Sequence, residues 1–168
     1  IPNGIDLQRF AFDKEKRRRM RQELGISDNT FVIGHVGRMT TPKNHKFLVE
    51  LFAEYHKKNQ NSRLLLVGDG ELFEEVKQQC NRLGISDSVI MTGSKTNTED
   101  YYQAMDVFVF PSLWEGLGIV AIEAQANGLV CLVSDRVPKD VLLTKKCWAL
   151  PLGKKETCLL YTSDAADE

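Results

Sequence analysis

Short β-branched apolar runs alternate along the chain with segments whose apolar residues recur at helical spacing. That alternation predicts a parallel α/β sheet. The first run covers residues 31–37 (FVIGHVG). Over residues 42–58, Phe47, Leu48, Leu51, Phe52 and Tyr55 mark one face of a helix packed on a sheet. A second strand is expected at 64–67 (LLLV), stopped by Gly68-Asp69-Gly70. The helix after it buries Leu72, Phe73, Val76, Cys80 and Leu83 and stops at Gly84. Further strands are expected at 89–91 (VIM), 107–110 (VFVF), 130–133 (VCLV) and 148–150 (WAL). Helices fall at 99–105 and 118–127, the latter closed by Gly128. The run at 107–110 is apolar throughout, which predicts a strand covered on both faces.

The two ends read differently. Residues 13–22 form a charged helix with little apolar surface, carrying Lys14, Lys16, Arg17, Arg18, Arg19 and Arg21. Such a run is read as a solvated helix face, with contact to an anionic lipid or acceptor as the other reading. The tail after Leu152 has no periodicity and is expected to lie outside the domain, as a truncated or read-through terminus. The chain opens without an initiator Met, as expected of a piece of a longer protein.

A chain of 168 residues, 42% apolar and 27% charged, has the size and composition of one globular domain. A formal net charge of -1 gives no field to recommend nucleic acid as a partner. No apolar run approaches the roughly 20 residues that span a bilayer. Cys80, Cys131, Cys147 and Cys158 lie far apart without a C-x-x-C pair, so Cys80 and Cys131 read as reduced core thiols in a cytoplasmic setting.

In open parallel sheets ligands bind beyond the carboxyl ends of the strands. Four such ends carry glycine or charge: Gly37-Arg38, Gly68-Asp69-Gly70, Gly93-Ser94-Lys95 and the stretch 111–118 (PSLWEGLG). Glycines there are expected to let backbone N–H groups approach an anion. Arg38 and Lys43, five positions apart in the first loop, suit a diphosphate and the charge it gains as a leaving group. Spacing alone also allows two ordinary surface cations. Glu115 and Glu123 stand eight residues apart, a rise of about 12 Å with side chains about 80° apart on a helix. Each suits the vicinal hydroxyls of one ring, a sugar or a ribose. A solvent-facing Glu123 stays open, although its apolar neighbours make an unpaired carboxylate costly. His35 reads as a structural strand-end residue, and His45 as a structural residue or a donor to phosphate or acceptor.

Together these residues resemble the C-terminal domain of GT-B glycosyltransferases of the large retaining family 4, across residues 1–152. The opening Pro2-Asn3-Gly4-Ile5-Asp6 with Phe10 is similar to the family's entry into that domain. Gly37-Arg38-Met39 with Lys43-Asn44-His45 is similar to its first phosphate loop, and Gly68-Asp69-Gly70-Glu71-Leu72 and Met91-Thr92-Gly93 to its next strand ends. Residues 111–118 followed by Glu123-Ala124 and Gly128 resemble its E-x7-E signature, the most specific match. The details look most like bacterial capsular or exopolysaccharide transferases. One departure is Val130, where the family usually has Pro.

The resemblance implies a Rossmann-like parallel sheet with helices on both faces. It further implies that Arg38, Lys43 and Glu115 are the catalytic residues. Gly37 and the Thr92, Gly93 and Ser94 loop would border the donor, Gly116, Leu117 and Gly118 would hold the transferred sugar through their backbone, and Glu123 would bind ribose. The donor would be a nucleotide-diphosphate sugar, with UDP-sugar favoured. The acceptor, a glycan or a lipid-linked glycan, would bind through an N-terminal domain outside this chain, with peripheral contact at the inner membrane face. No metal or other cofactor is expected, since the sequence offers no Asp-x-Asp and no His/Asp cluster. Two rivals share these motifs: a GT-B-fold UDP-sugar epimerase, which would alter a UDP-sugar with no acceptor present, and a non-catalytic nucleotide-binding α/β module.

Overall fold

The computed structural model describes residues 4–153 and positions 162, 164 and 165. Its strands are β1 (Phe31–Val36), β2 (Ser62–Val67), β3 (Val89–Met91), β4 (Val107–Phe110), β5 (Val130–Ser134) and β6 (Cys147–Leu150). They form one parallel sheet in the order β3-β2-β1-β4-β5-β6. The helices are α1 (Leu7–Phe10), α2 (Lys14–Leu24), α3 (His45–Lys58), α4 (Phe73–Arg82), α5 (Thr98–Ala104) and α6 (Ile119–Ala126). Each strand expected from the apolar pattern is present within two residues, and the class is the expected Rossmann-like α/β fold.

Strand periodicity divides the core into two layers. Leu64 and Leu66 face one way, with Leu48, Leu51 and Phe52 of α3 and Val76 and Cys80 of α4. Leu65 and Val67 face the other, with Tyr102, Phe108, Phe110, Ala121 and Ala124. Burying each large apolar side chain contributes about 1.5–3 kcal/mol, so a sheet covered on both sides is the favoured state of these runs. Cys80, Cys131 and Cys147 are buried free thiols, and Cys158 lies outside the described residues. Val130, the departure from the family pattern, is buried and keeps its place in the ladder opposite Val107. The expected non-domain tail falls mostly outside the described residues, although Thr162 is buried and Ala165 packs on the α3 side of the core.

Two expectations are corrected. Leu83, placed on the buried stripe of α4, is 45% exposed because the helix ends at Arg82 and Leu83 follows as its C-cap. The charged helix α2 is not a uniformly solvated face. Arg21 is 1% exposed and donates to Asp106 Oδ2 at 2.7 Å and to the carbonyls of Ala104, Ser27, Asp28 and Thr30. Arg17 donates to Asp106 Oδ1 at 2.7 Å and to the carbonyls of Gln103 and Met105. The two guanidinium groups cover the carboxyl end of α5, where unpaired carbonyls and the helix dipole attract cations. Asp106 Oδ2 also accepts the Val32 N–H of β1, so this one carboxylate joins α2, α5 and the sheet.

Arg21→Ala should therefore destabilise the protein by about 3 kcal/mol, as expected when one partner of a buried pair is removed. Arg18→Ala, which loses only a surface pair with Glu15, should leave stability nearly unchanged. Urea unfolding midpoints of the two variants check the contrast.

Candidate functional site

All strands run parallel, so the loops after β1, β2, β3 and β4 meet along one edge of the sheet. Chain order reverses between β1 and β4. Their ladder holds only Ile33 to Val107 and Gly34 to Phe108, although β1 continues to Val36 and β4 to Phe110. Beyond Gly34 the two strands share no further ladder pairs, and this is the switch point, the place where such sheets bind ligands.

Three contacts join the loops that follow β1 and β4. The Leu113 N–H donates to the Pro42 carbonyl at 2.8 Å. Asn44, in the left-handed conformation at φ 60°, which Asn tolerates, donates through Nδ2 to the Pro111 carbonyl at 3.0 Å. Lys43 Nζ donates to Glu115 Oε2 at 2.5 Å. Ser112 Oγ donates to the same oxygen at 3.3 Å, and Lys43 lies 5.5 Å from the Phe110 ring centroid. The first loop cation and the first acid of the signature are thus one ion pair.

Arg38 is exposed and lines a crevice of about 590 Å³ with Gly68, Asp69, Gly70, Glu71 and Ser94. That volume is within the ~300–1,000 Å³ common for small-molecule sites. The glycines here do other work than expected. A side chain on Gly68, at φ 142°, would stand 2.1 Å from the Gly37 carbonyl oxygen, so Gly68 permits two loops to touch backbone to backbone. The Gly37 N–H is taken by the Val67 carbonyl, that of Gly68 by the Gly93 carbonyl and that of Gly70 by Asp69 Oδ1. These groups are not free to cradle an anion. By contrast, among the described residues the N–H groups from Gly116 to Val120, leading into α6, make no backbone hydrogen bond. Gly116 and Leu117 are exposed, Gly118 is buried, and Thr92 and Gly93 are half-buried where the third loop starts.

Glu123 does not face open solvent. Its Oε2 accepts from the Tyr102 hydroxyl at 2.8 Å, and burial raises its pKa. It is neither in the Lys43–Glu115 pair nor among the residues lining the Arg38 crevice. Tyr102, which carried no signal beyond its place in an apolar stretch, is the site neighbour that sequence reasoning missed.

Beneath the Lys43 loop lie two buried histidines. His35 donates from Nδ1 to the Val109 carbonyl at 2.8 Å, joining β1 to β4 just past the end of their ladder. A carbonyl only accepts, so the proton is on Nδ1 and Nε2 is bare. The His45 ring stands edge-on to His35 at 4.7 Å, and neither of its nitrogens has a partner among the described residues. Burial lowers His35 to about 4 and His45 to about 2, so both rings are neutral near pH 7. The structural reading of His35 stands. His45 is 2% exposed and does not present a donor to a surface ligand. Among the described residues no three His, Cys, Asp or Glu side chains gather to hold a metal ion, and no helix is long and apolar enough to cross a membrane.

The family described as glycosyl transferases group 1 matches residues 16–142. The chain belongs to this family. A relative from Escherichia coli, UDP-Gal:alpha-D-GlcNAc-diphosphoundecaprenol alpha-1,3-galactosyltransferase, is 37% identical over 80% of the chain and 36% of its own length. WaaG, a glycosyltransferase involved in lipopolysaccharide biosynthesis, superposes with a TM-score of 0.88 at 20% identity, over 100% of this chain and 47% of that one. Anabaena HepE, solved with UDP and glucose, superposes with a TM-score of 0.82 at 23% identity, over 98% of this chain and 48% of that one. The two structures establish the GT-B-type fold. The chain spans about a third of the E. coli relative's length and about half of each solved one.

Because burial raises the Glu123 pKa, the folded chain binds this proton more readily than the unfolded chain does. Stability linked to this group then rises as pH falls through the raised pKa and is lost above it. Glu123→Gln should accordingly raise the unfolding midpoint at pH 7–8, with a margin that shrinks on acidification. Denaturant titrations across pH test the trend, and a margin that grows toward acid would contradict it.

Proposed function

We propose that this chain is the donor-binding domain, over residues 1–152, of a retaining hexosyltransferase. The enzyme takes a sugar from a nucleotide-diphosphate donor, UDP-sugar being favoured, and passes it to a growing glycan or lipid-linked acceptor held mainly by a further domain. The observation that carries the reading is the Lys43–Glu115 pair, a cation and an acid brought from opposite sides of the switch point, the cation from the same loop that sends Arg38 into its crevice.

In this reading the donor splits the pair. Lys43 and Arg38 turn to the diphosphate, and Glu115 turns to hydroxyls of the transferred sugar, with the backbone of Gly116, Leu117 and Gly118 alongside. Gly37, Thr92, Gly93 and Ser94 border the nucleotide, and Glu123 accepts from ribose hydroxyls. The sugar–oxygen bond to the diphosphate breaks, its electron pair leaves with the phosphate oxygen, and the acceptor hydroxyl attacks on the face being vacated, giving its proton to the departing phosphate oxygen. Two side-chain cations then stabilise the leaving charge, so the reaction needs no metal or other cofactor. The E. coli relative's name places its acceptor on diphosphoundecaprenol. Lys14, Lys16, Arg18 and Arg19, the α2 cations not tied to Asp106, suit an anionic bilayer at the cytoplasmic side of such a membrane.

Lys43→Ala should lower kcat/KM by about 10²–10³ and weaken UDP binding. Glu115→Gln should reduce transfer while UDP affinity holds or tightens, because the sugar contact is lost and Lys43 is released. Calorimetry with UDP and release of UDP dependent on acceptor measure both. UDP binding lost equally in the two variants, or UDP-sugar altered with no acceptor present, would overturn the reading.

A further inference from the structure

Tyr102 is fully buried in α5, edge-on to Phe10 at 5.9 Å and tilted against Phe108 at 5.8 Å. Its hydroxyl reaches from this apolar layer to α6, 2.8 Å from Glu123 Oε2 and 3.0 Å from the Val120 carbonyl oxygen. A phenol has one proton to offer two acceptors. The carboxylate is nearer and charged, and bonds to an ionised acceptor are roughly twice as strong as neutral ones. Glu123 therefore takes the larger share. Among the described residues its other oxygen, Oε1, makes no hydrogen bond.

We propose that Tyr102 is a positioning residue for the donor: by holding Glu123 Oε2 it sets the carboxylate so that Oε1 meets the ribose hydroxyls. The proposal deepens the function proposed above and rests on its assignment of Glu123 to ribose.

The surroundings make Tyr102 a fixed donor. Burial and the neighbouring carboxylate raise its pKa well above that of a free phenol, so it keeps its proton throughout the working range. The helix that carries it is clamped at its carboxyl end by Arg17 and Arg21. It is tied at its side by Gln103, which donates to the Ala11 carbonyl and accepts the Asp13 N–H. A mobile carboxylate would have to lose rotamer freedom each time the donor binds; a carboxylate already held has lost it on folding.

Tyr102→Phe keeps the ring packing and removes only the hydroxyl. The test compares UDP with 2′-deoxy-UDP by calorimetry on the intact enzyme. The wild type should prefer UDP by about tenfold, as expected for a hydrogen bond to a charged group. Tyr102→Phe should weaken UDP by about fivefold and 2′-deoxy-UDP, which keeps only the 3′-hydroxyl contact, by about twofold or less, raising donor KM with kcat within about twofold. Equal weakening of both nucleotides, or of neither, would overturn the proposal. Glu123→Gln separates the two levels of the argument. If it abolishes the preference while Tyr102→Phe keeps it, the positioning role fails and the ribose assignment stands. A wild type with no preference defeats both.

Discussion

The early parting of β1 and β4 governs the molecule. Two rungs hold these central strands together, and beyond Gly34 and Phe108 they diverge. A sheet that opens in its middle must be held by something other than its ladder. Here side chains do it: His35 on the Val109 carbonyl, Asn44 on the Pro111 carbonyl, and Lys43 on Glu115. The first two bonds are buried or half-buried scaffold, whereas the third joins groups with chemistry to offer. The edge that most needs bridging is therefore also the edge where a ligand can replace a bridge.

The remaining elements brace that opening from behind. Asp106 stands just before β4, takes the Val32 N–H of β1, and is held by Arg17 and Arg21. The same arginines cap α5, and α5 carries the tyrosine that holds Glu123. A helix near the start of the chain thus reaches the candidate ribose contact through one carboxylate and one short helix. Such continuity suits a site whose groups must be in place before a ligand arrives.

Much of this was legible in the sequence. The strands were, because apolar runs such as VFVF gain most when both faces are covered, and so was the edge that carries the loops. The fate of the charged residues was not. Arg17 and Arg21 look like Arg18 and Arg19 in the sequence, yet the carboxylate they share, Asp106, lies more than 80 positions away. Burial of a guanidinium is decided by whether carbonyls and a carboxylate await it, and no local pattern reports that. The glycines mislead in a similar way. Gly68 signals a tight place, but the close neighbour is the Gly37 carbonyl rather than a phosphate. Glu123 was marked by its spacing from Glu115, while its partner Tyr102 had no mark at all.

The account stands on a cation pair and two acids serving one nucleotide sugar, although without a ligand Lys43 is bound to Glu115 and Glu123 to Tyr102. A crystal structure of the enzyme with UDP bound tests this most directly. It should show the diphosphate between Arg38 and Lys43, Lys43 turned away from Glu115, and the ribose hydroxyls on Glu123. A nucleotide seated elsewhere, with the Lys43–Glu115 pair intact, would contradict it.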